Sequence, residues 1–280
     1  MTLSPMPRIR QPRSTSSTRL PSREDVEARL STMPQAARDC VHVWQLDCES
    51  LVPAAESCRP MLTVSEQSRA ADFLLEIDRR AFIIGRAALR VLLCAYLERA
   101  PGDVLLSHTA LGKPHVPSAH NGHGIEFSVS HSGGRILFAI ARERAVGVDV
   151  ERVRPLAHPG SLARAMLTPD EWIAWSGLAH SQRVDALFAT WTRKEAVLKA
   201  LGCGLALRPS TLDVTRERGE LRDKGSSWWL GNVRQKSGWA AALALEGAAG
   251  AKIVRATLHS SETSYRARSL AINRSMLATV

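Results

Sequence analysis

Two carboxylates, Asp149 and Glu151, interrupt the otherwise apolar segment VGVDVERV at residues 146–153. Because side chains on a β-strand alternate between its two faces, both carboxylates project from one face and the alternating valines form the other. Oxygen ligands at this separation suit Mg²⁺, which proteins bind through one or two carboxylates together with substrate phosphates and water. The alternative is an exposed edge strand whose charges discourage aggregation, and this segment alone leaves both interpretations open.

A helix predicted over residues 184–204 carries the next candidates, within its segment 188–202. Trp191, Glu195 and Lys199 follow one another at intervals of four residues, so they share one stripe of that helix. A Glu–Lys pair at this spacing is usually a solvated surface pair, yet a tryptophan is unusual at the head of a solvated stripe. A third carboxylate from Glu195 would complete an acidic magnesium site, and Lys199 could bind a phosphate.

Three further positions carry polar groups in unusual settings. His131 lies between Ser130 and Ser132 at a predicted strand end, directly before two glycines. A histidine and a serine at a glycine turn can bind phosphate, although a lone histidine is more often structural. Lys113 lies in a Gly-Lys-Pro loop, and Arg86 lies inside an apolar helix, where an arginine is rarely buried without a partner.

The hydrophobic periodicity predicts the elements that position these residues. A helix is expected over 77–99, followed by a strand over 125–134 and a hairpin with strands at 136–141 and 145–150. A run of strands follows the helix that carries Glu195. Each half of the chain therefore combines helices with several strands, which predicts an α+β protein of two lobes.

The predicted domain boundaries follow composition as well as periodicity. Residues 1–38 are expected to form a disordered Arg/Ser/Pro-rich extension, because this stretch cannot bury a core. The N-terminal lobe is assigned to 39–145 and the C-terminal lobe, with the metal-binding motifs, to 146–262. Residues 263–280 are assigned to a C-terminal tail.

The net charge of +10 indicates an anionic partner, although five of the arginines lie within the first 23 residues. Nucleic acid, a polyphosphate-bearing small molecule and an acidic protein all remain open on charge alone. The five cysteines form no C-x-x-C pair and are interpreted as reduced thiols, so a cytoplasmic location is expected. The sequence contains neither a secretory signal peptide nor an apolar stretch of roughly 20 residues that could span a membrane.

Taken in order, these segments resemble the Sfp-type 4′-phosphopantetheinyl transferases. That family has a G-K-P loop, a strand ending in S-H-S, a G-x-D-x-E strand and a W-x-x-K-E-A-x-x-K helix. The corresponding segments here are Gly112-Lys113-Pro114, residues 130–132, residues 147–151 and residues 191–199. The resemblance covers about residues 60–205, and its last two motifs in combination are the most specific.

The resemblance implies an enzyme that transfers the phosphopantetheine arm of coenzyme A to a serine of a carrier protein. The other product is adenosine 3′,5′-bisphosphate. The implied fold has two similar α/β lobes, related by a pseudo-two-fold axis, with the active site in the cleft between them. Carriers of nonribosomal peptide and polyketide synthases are the expected acceptors, and fatty-acid carriers stay open. The enzyme is expected to be a monomer that binds neither nucleic acid nor membranes.

The resemblance also assigns roles to residues. Asp149, Glu151 and Glu195 would hold Mg²⁺ against the pyrophosphate, and Glu195 is also the candidate general base toward the carrier serine. Lys199 would stabilise the phosphate oxygen of the leaving group. The residues expected to bind coenzyme A are Arg86, Lys113, Ser130, His131, Lys194 and Lys199, with Ser132 beside them and more variable basic contacts from Arg69 and from Arg79 or Arg80.

Two other functions are considered. A non-catalytic basic protein could bind nucleic acid through its arginines, but the chain has no recognisable groove-reading motif. Its acidic motif would also repel phosphates in the absence of a metal. A family member that binds carriers without catalysis is disfavoured, because the motif carboxylates and Lys199 are all present.

Overall fold

The computed structural model describes residues 18–216, 218–221, 226–247, 249–258 and 261–262 of the chain. Its helices are α1 (Arg23–Leu30), α2 (Ala55–Cys58), α3 (Val64–Ala71), α4 (Glu76–Leu97), α5 (Pro159–Met166), α6 (Pro169–Ser176) and α7 (His180–Leu201). Its strands are β1 (Thr18–Arg19), β2 (Cys40–Asp47), β3 (Ser107–His108), β4 (Pro114–His115), β5 (Ile125–Ser132), β6 (Arg135–Arg142), β7 (Val146–Arg152), β8 (Arg218–Leu221), β9 (Ser226–Asn232), β10 (Trp239–Glu246), β11 (Lys252–Thr257) and β12 (Ser261–Glu262). None of the helices described is both long enough and apolar enough to cross a membrane.

Two four-stranded sheets form the centre of the fold, with strand orders β11-β2-β6-β5 and β7-β10-β9-β8. Val146, Val148 and Val150 of β7 are fully buried and pack with Val41 and Val43 of β2 between the sheets. Helix α4 packs in the core of the first sheet, and α7 packs on the second. These elements confirm the mixed α+β class, whereas the pseudo-two-fold relation between lobes stays a prediction.

The predicted hairpin between β6 and β7 is wrong. Strand β6 pairs with β2 and β5, whereas β7 pairs with β10 in the other sheet. The chain crosses between the sheets at Arg144, whose guanidinium donates to the carbonyls of Arg38 (2.8 Å), Glu246 (2.8 Å) and Ala249 (2.7 Å). These contacts fix the short charged connection as a crossover, and the local sequence does not show them.

Two features of the structure bear on the predicted division of the chain, which stays a prediction. From residue 18 onward the predicted disordered extension folds, because a Ser22–Asp25 capping box starts α1 and the buried Leu20 and Val26 join the core around α4. Strand β11, which was assigned to the C-terminal lobe, pairs in parallel with β2 in the first sheet. Residues 1–17 and the predicted tail 263–280 lie outside the described residues.

A buried polar cluster joins β2 to α4. The His42 ring contacts the Tyr96 hydroxyl through Nδ1 (2.5 Å) and the Pro34 carbonyl through Nε2 (2.7 Å). The Trp44 indole N–H donates to the same Tyr96 oxygen at 2.8 Å. Burial lowers the pKa of His42 below its ordinary value of 6.5.

We expect this cluster to make folding sensitive to acid. Because the folded pKa of His42 is lowered, the unfolded chain takes up a proton first as the pH falls below the ordinary value, so the free energy of unfolding decreases. Urea unfolding at about pH 7.5 and about pH 5 should show a smaller pH-dependent loss for His42→Gln than for the wild type. Equal losses in the two proteins would contradict this assignment.

Candidate functional site

A cavity of about 420 Å³ opens between the N-terminal half of the chain and helix α7. Its walls come from α3 and α4, from the Gly-Lys-Pro loop, from β5 and from α7. The ionisable side chains that line it are Arg69, Arg86, Lys113, His131, Glu195 and Lys199. Four lysines and arginines therefore face one carboxylate, which favours a ligand carrying several negative charges.

The aromatic ring of Phe82 contacts the two arginines that line this cavity, Arg69 and Arg86. The guanidinium carbon of Arg86 lies 5.2 Å from the centre of the Phe82 ring, and that of Arg69 lies 6.0 Å from it. Burial lowers the pKa of Arg86 from its usual value. Phe82 was not among the predicted site residues, although its position four residues before Arg86 on α4 places both side chains on one helical face.

Lys199, which lines the cavity, pairs with Asp149 of β7. The Lys199 ammonium lies 2.7 Å from Asp149 Oδ1, which also accepts a hydrogen bond from the Ser130 hydroxyl at 2.7 Å. The other oxygen, Oδ2, is buried and has no hydrogen-bond partner among the residues described. A buried carboxylate oxygen without a donor is costly, so this atom indicates a site for a cation or a hydrogen-bond donor.

The other two predicted acidic residues lie nearby. Glu151 Oε2 accepts from the Ser132 hydroxyl at 2.7 Å and lies 3.8 Å from the Arg154 guanidinium. Burial raises the pKa of Glu195, and the negative charges of Asp149 and Glu151 raise it further, while Lys199 opposes them. Within the described part of the chain, however, no three His, Cys, Asp or Glu side chains are placed closely enough to hold a metal ion.

The chemistry of these carboxylates fits a divalent cation even though they are not gathered into one ligand set. Asp149 supplies an unpartnered buried oxygen, and burial, followed by repulsion from Asp149, raises the pKa of Glu195. A cation between such groups would relieve both effects. Hard oxygen donors of this kind match the preference of Mg²⁺.

Gly147 determines how closely α7 approaches these carboxylates. A Cβ atom at this position would lie 1.9 Å from the Ala196 carbonyl oxygen and 2.4 Å from the Ala200 nitrogen. Helix α7 therefore packs directly on the β7 backbone, which carries Glu195 and Lys199 to the cavity. Gly147 thus makes room for the backbone of a neighbouring helix.

The structure places Lys113 and His131 in the cavity wall. The Lys113 ammonium donates to the carbonyls of Val146 (3.3 Å) and Ala200 (3.2 Å), so it joins the loop to β7 and to the end of α7. Burial lowers the pKa of Lys113. The pKa of His131 is also lowered, first by loss of water around the ring and then by the nearby positive charge of Lys199.

Lys194, which the resemblance assigned to coenzyme A, is not among the residues that line the cavity. Its side chain is 0% exposed and pairs with Glu171 at 2.6 Å. The ammonium also donates to the carbonyls of Pro209 (2.9 Å) and Leu212. Because consecutive helix residues are turned by about 100°, Lys194 points away from the stripe that carries Glu195 and Lys199. It fastens the helix to α6 and to the loop beyond α7.

We expect Lys194→Met to destabilise the protein by about 3–5 kcal/mol, because Glu171 would remain as a buried charge without its partner. Urea unfolding measures this loss directly. The exposed Lys236→Met is the matched control and should change stability by no more than about 0.5 kcal/mol. Equal stability of Lys194→Met and the wild type would show that Lys194 has no structural role.

Two of the more variable basic contacts also lie elsewhere. Arg79 and Arg80 both pair with Glu76, at 2.6 Å and 2.5 Å, on the first turns of α4. Neither is among the residues that line the cavity, whereas Arg69 is. Of the basic residues predicted near the ligand, the structure thus brings together Arg69, Arg86, Lys113, His131 and Lys199.

Comparison with known proteins gives matches over both halves of the chain. A family model described as the 4′-phosphopantetheinyl transferase superfamily matches residues 145–244, and one described as 4′-phosphopantetheinyl transferase, N-terminal, matches residues 52–143. The 4′-phosphopantetheinyl transferase HetI of Nostoc sp. is 34% identical over 168 residues, which are 60% of this chain and 71% of that protein. The L-aminoadipate-semialdehyde dehydrogenase-phosphopantetheinyl transferase of Schizosaccharomyces pombe is 33% identical over 167 residues, covering 55% of this chain and 64% of the relative. The chain belongs to the 4′-phosphopantetheinyl transferase superfamily.

Proposed function

We propose that this protein transfers the 4′-phosphopantetheine arm of coenzyme A to a serine of an apo carrier protein and releases adenosine 3′,5′-bisphosphate. The observation that carries the proposal is the Asp149–Lys199 pair at 2.7 Å, which stands beside Glu195 at one end of a basic cavity. Membership of the superfamily supports the reaction type. We further propose that the enzyme acts as a cytoplasmic monomer.

The cavity suits a phosphate-rich donor with an aromatic base. Arg69 and Arg86 can pair with phosphate oxygens, and Phe82 and the other apolar walls exclude water from the ligand. The ammonium of Lys113 is partly occupied by two backbone carbonyls, but it retains a third N–H. These residues can hold the nucleotide end of coenzyme A while its pyrophosphate reaches Lys199.

Asp149, Glu151 and Glu195 are the residues that would hold Mg²⁺ in this proposal. A bound divalent cation neutralises negative charge on a pyrophosphate and orients it for displacement. The support from the structure is the unpartnered Oδ2 of Asp149 and the repulsion among the three carboxylates. Strand β7 of the second sheet and helix α7 hold these side chains in place before the substrates bind.

The proposed chemical step is a displacement at phosphorus. The carrier serine oxygen forms a bond to the phosphorus atom that bears the pantetheine arm, and the bond from that phosphorus to the bridging oxygen breaks. The bridging oxygen keeps the electron pair and leaves as part of adenosine 3′,5′-bisphosphate, with its charge stabilised by Lys199. Glu195 accepts the serine proton, and this role needs its carboxylate in the ionised form.

A shallow apolar groove beside Glu151 is the proposed docking place for the carrier. It has a volume of about 150 Å³ and is lined by Glu151, Arg154, Leu156, Leu162, Leu187, Phe188 and Trp191. Glu151 lines this groove and also belongs to the proposed cation site. A carrier serine bound here would therefore approach the pyrophosphate of coenzyme A. Arg154 and the basic excess of the chain suit an acidic carrier surface. Carriers of nonribosomal peptide and polyketide synthases are the acceptors we propose first.

A panel of carrier domains tests this function. The protein is incubated with coenzyme A, Mg²⁺ and apo acyl-, aryl- or peptidyl-carrier domains, and intact-protein mass spectrometry follows the carrier. We expect at least one carrier to gain one phosphopantetheine on its serine, and a Ser→Ala carrier is the control. If every carrier stays unmodified while the protein binds DNA with a steep salt dependence, the nucleic-acid alternative would replace this proposal.

A further inference from the structure

Strands β5 and β7 run side by side where the two sheets meet, but serine side chains bridge them in place of backbone pairing. The hydroxyl oxygens of Ser128, Ser130 and Ser132 on β5 accept hydrogen bonds from three backbone N–H groups of β7. The donors are Val148 (3.1 Å), Val150 (3.2 Å) and Arg152 (3.1 Å). Because the serines occupy alternate positions of β5, all three side chains project from the same face of the strand. We call this set the serine row.

The hydroxyl groups of the serine row differ in the acceptors to which they donate. Ser130 donates to Asp149 Oδ1 and Ser132 donates to Glu151 Oε2, each at 2.7 Å. In both pairs, the carboxylate belongs to the β7 residue directly before the one whose N–H the serine accepts. For Ser128 that residue is Gly147, which has no side chain to accept a hydrogen bond. Ser128 therefore makes the same backbone contact as its two neighbours but supports no carboxylate. The chain thus contains an internal control for the contacts of Ser130 and Ser132.

From this geometry we infer that Ser130 and Ser132 are positioning residues for the two carboxylates of the proposed cation site. A hydroxyl that accepts a backbone N–H has little freedom to rotate, so its proton points in one direction. Each serine therefore holds one carboxylate oxygen in place, and in Asp149 this leaves Oδ2 as the free oxygen. The inference rests on the proposed function and adds to it the residues that orient the ligands.

This role replaces the contact with coenzyme A that the sequence analysis assigned to Ser130. The Ser130 side chain is buried, its oxygen already accepts from Val150 and its proton is held by Asp149. Hydrogen bonds between a hydroxyl and a carboxylate are among the stronger ones in proteins because the acceptor is charged. Residues that orient metal ligands in this way commonly change metal affinity by about 10–100-fold when they are removed.

Direct measurement of Mn²⁺ binding tests the inference without relying on turnover. The full chain, saturated with coenzyme A and without a carrier, is titrated with Mn²⁺ by electron paramagnetic resonance. We expect Ser130→Ala and Ser132→Ala to bind Mn²⁺ about 10–100-fold more weakly than the wild type. Ser128→Ala also loses one acceptor for a β7 N–H, so its melting temperature should fall, but its Mn²⁺ affinity should equal that of the wild type.

Mn²⁺ binding to the conservative variant Ser130→Thr and to the wild type distinguishes a failed positioning role from a failed cation site. Ser130→Thr keeps the hydroxyl and should restore Mn²⁺ affinity, and if Ser130→Ala does not fold, Ser132→Ala at the half-buried strand end decides the question. Wild-type affinity in both Ser130→Ala and Ser132→Ala, or equal weakening in Ser128→Ala, overturns the positioning role and leaves the proposed function standing. Absence of Mn²⁺ binding in the wild type overturns the cation site itself, and the inference falls with it.

Discussion

Asp149→Asn is expected to reduce phosphopantetheine transfer at least about 100-fold while the protein stays folded. Asp149 pairs with Lys199 and presents the unpartnered Oδ2 to the proposed cation site. A contribution of about 3 kcal/mol to the stabilisation of the transition state corresponds to roughly 100-fold in rate. Asparagine keeps the shape of the side chain but removes its charge, so melting temperature should change far less than activity.

Asp185→Asn is the matched control for this prediction. It makes the same change of charge on an exposed residue of α7 that does not line the cavity. The carrier assay, with initial rates measured at saturating coenzyme A, compares the two variants and the wild type. Transfer by Asp149→Asn at the wild-type rate would contradict the place given to Asp149 in the chemistry.

The second large effect is expected for Gly147→Ala. The added Cβ would lie 1.9 Å from the Ala196 carbonyl oxygen, a distance at which the helix must move. Overpacking in a well-packed core costs about 1–3 kcal/mol and occasionally more, and here both obstructing atoms belong to the backbone. Any shift of α7 moves Glu195 and Lys199 relative to Asp149, so stability and transfer should fall together.

Gly160→Ala provides the comparison for a glycine in open space. A Cβ at Gly160, in the first turn of α5, meets no atom within 4 Å, and alanine favours helix. We expect Gly160→Ala to be at least as stable as the wild type in thermal unfolding and to transfer normally. A Gly147→Ala protein that melts and transfers like Gly160→Ala would show that close packing of α7 on β7 is not needed.

Much of the local structure could be predicted from the sequence because local signals specify it. A Thr168-Pro169 pair begins α6 and the left-handed Gly202 ends α7, and both are residue types that mark helix ends in a sequence. The alternation of β7 predicted one buried valine face, and the spacing of Glu195 and Lys199 predicted that both would reach one site. Period and capping are properties of short segments, so a single sequence contains them.

The features that the sequence did not show depend on contacts between distant segments. The crossover at Arg144 uses carbonyls from residues 38, 246 and 249, and β11 returns to pair with β2. Lys194 and Lys199 are equivalent in the motif, and only their partners, Glu171 and Asp149, separate a structural lysine from a cavity lysine. The serine row has the same origin, because its meaning depends on which strand lies beside β5.

Coenzyme A labelled at two positions tests the central claim most directly. One label is placed in the pantetheine arm and the other in the 3′-phosphate, and the wild-type protein is incubated with Mg²⁺ and an apo carrier. We predict that the pantetheine label moves to the carrier serine while the 3′-phosphate label stays in a small molecule that co-elutes with adenosine 3′,5′-bisphosphate. Both labels on the carrier, or neither on any carrier tested, would contradict transfer by cleavage of the pyrophosphate in this cavity.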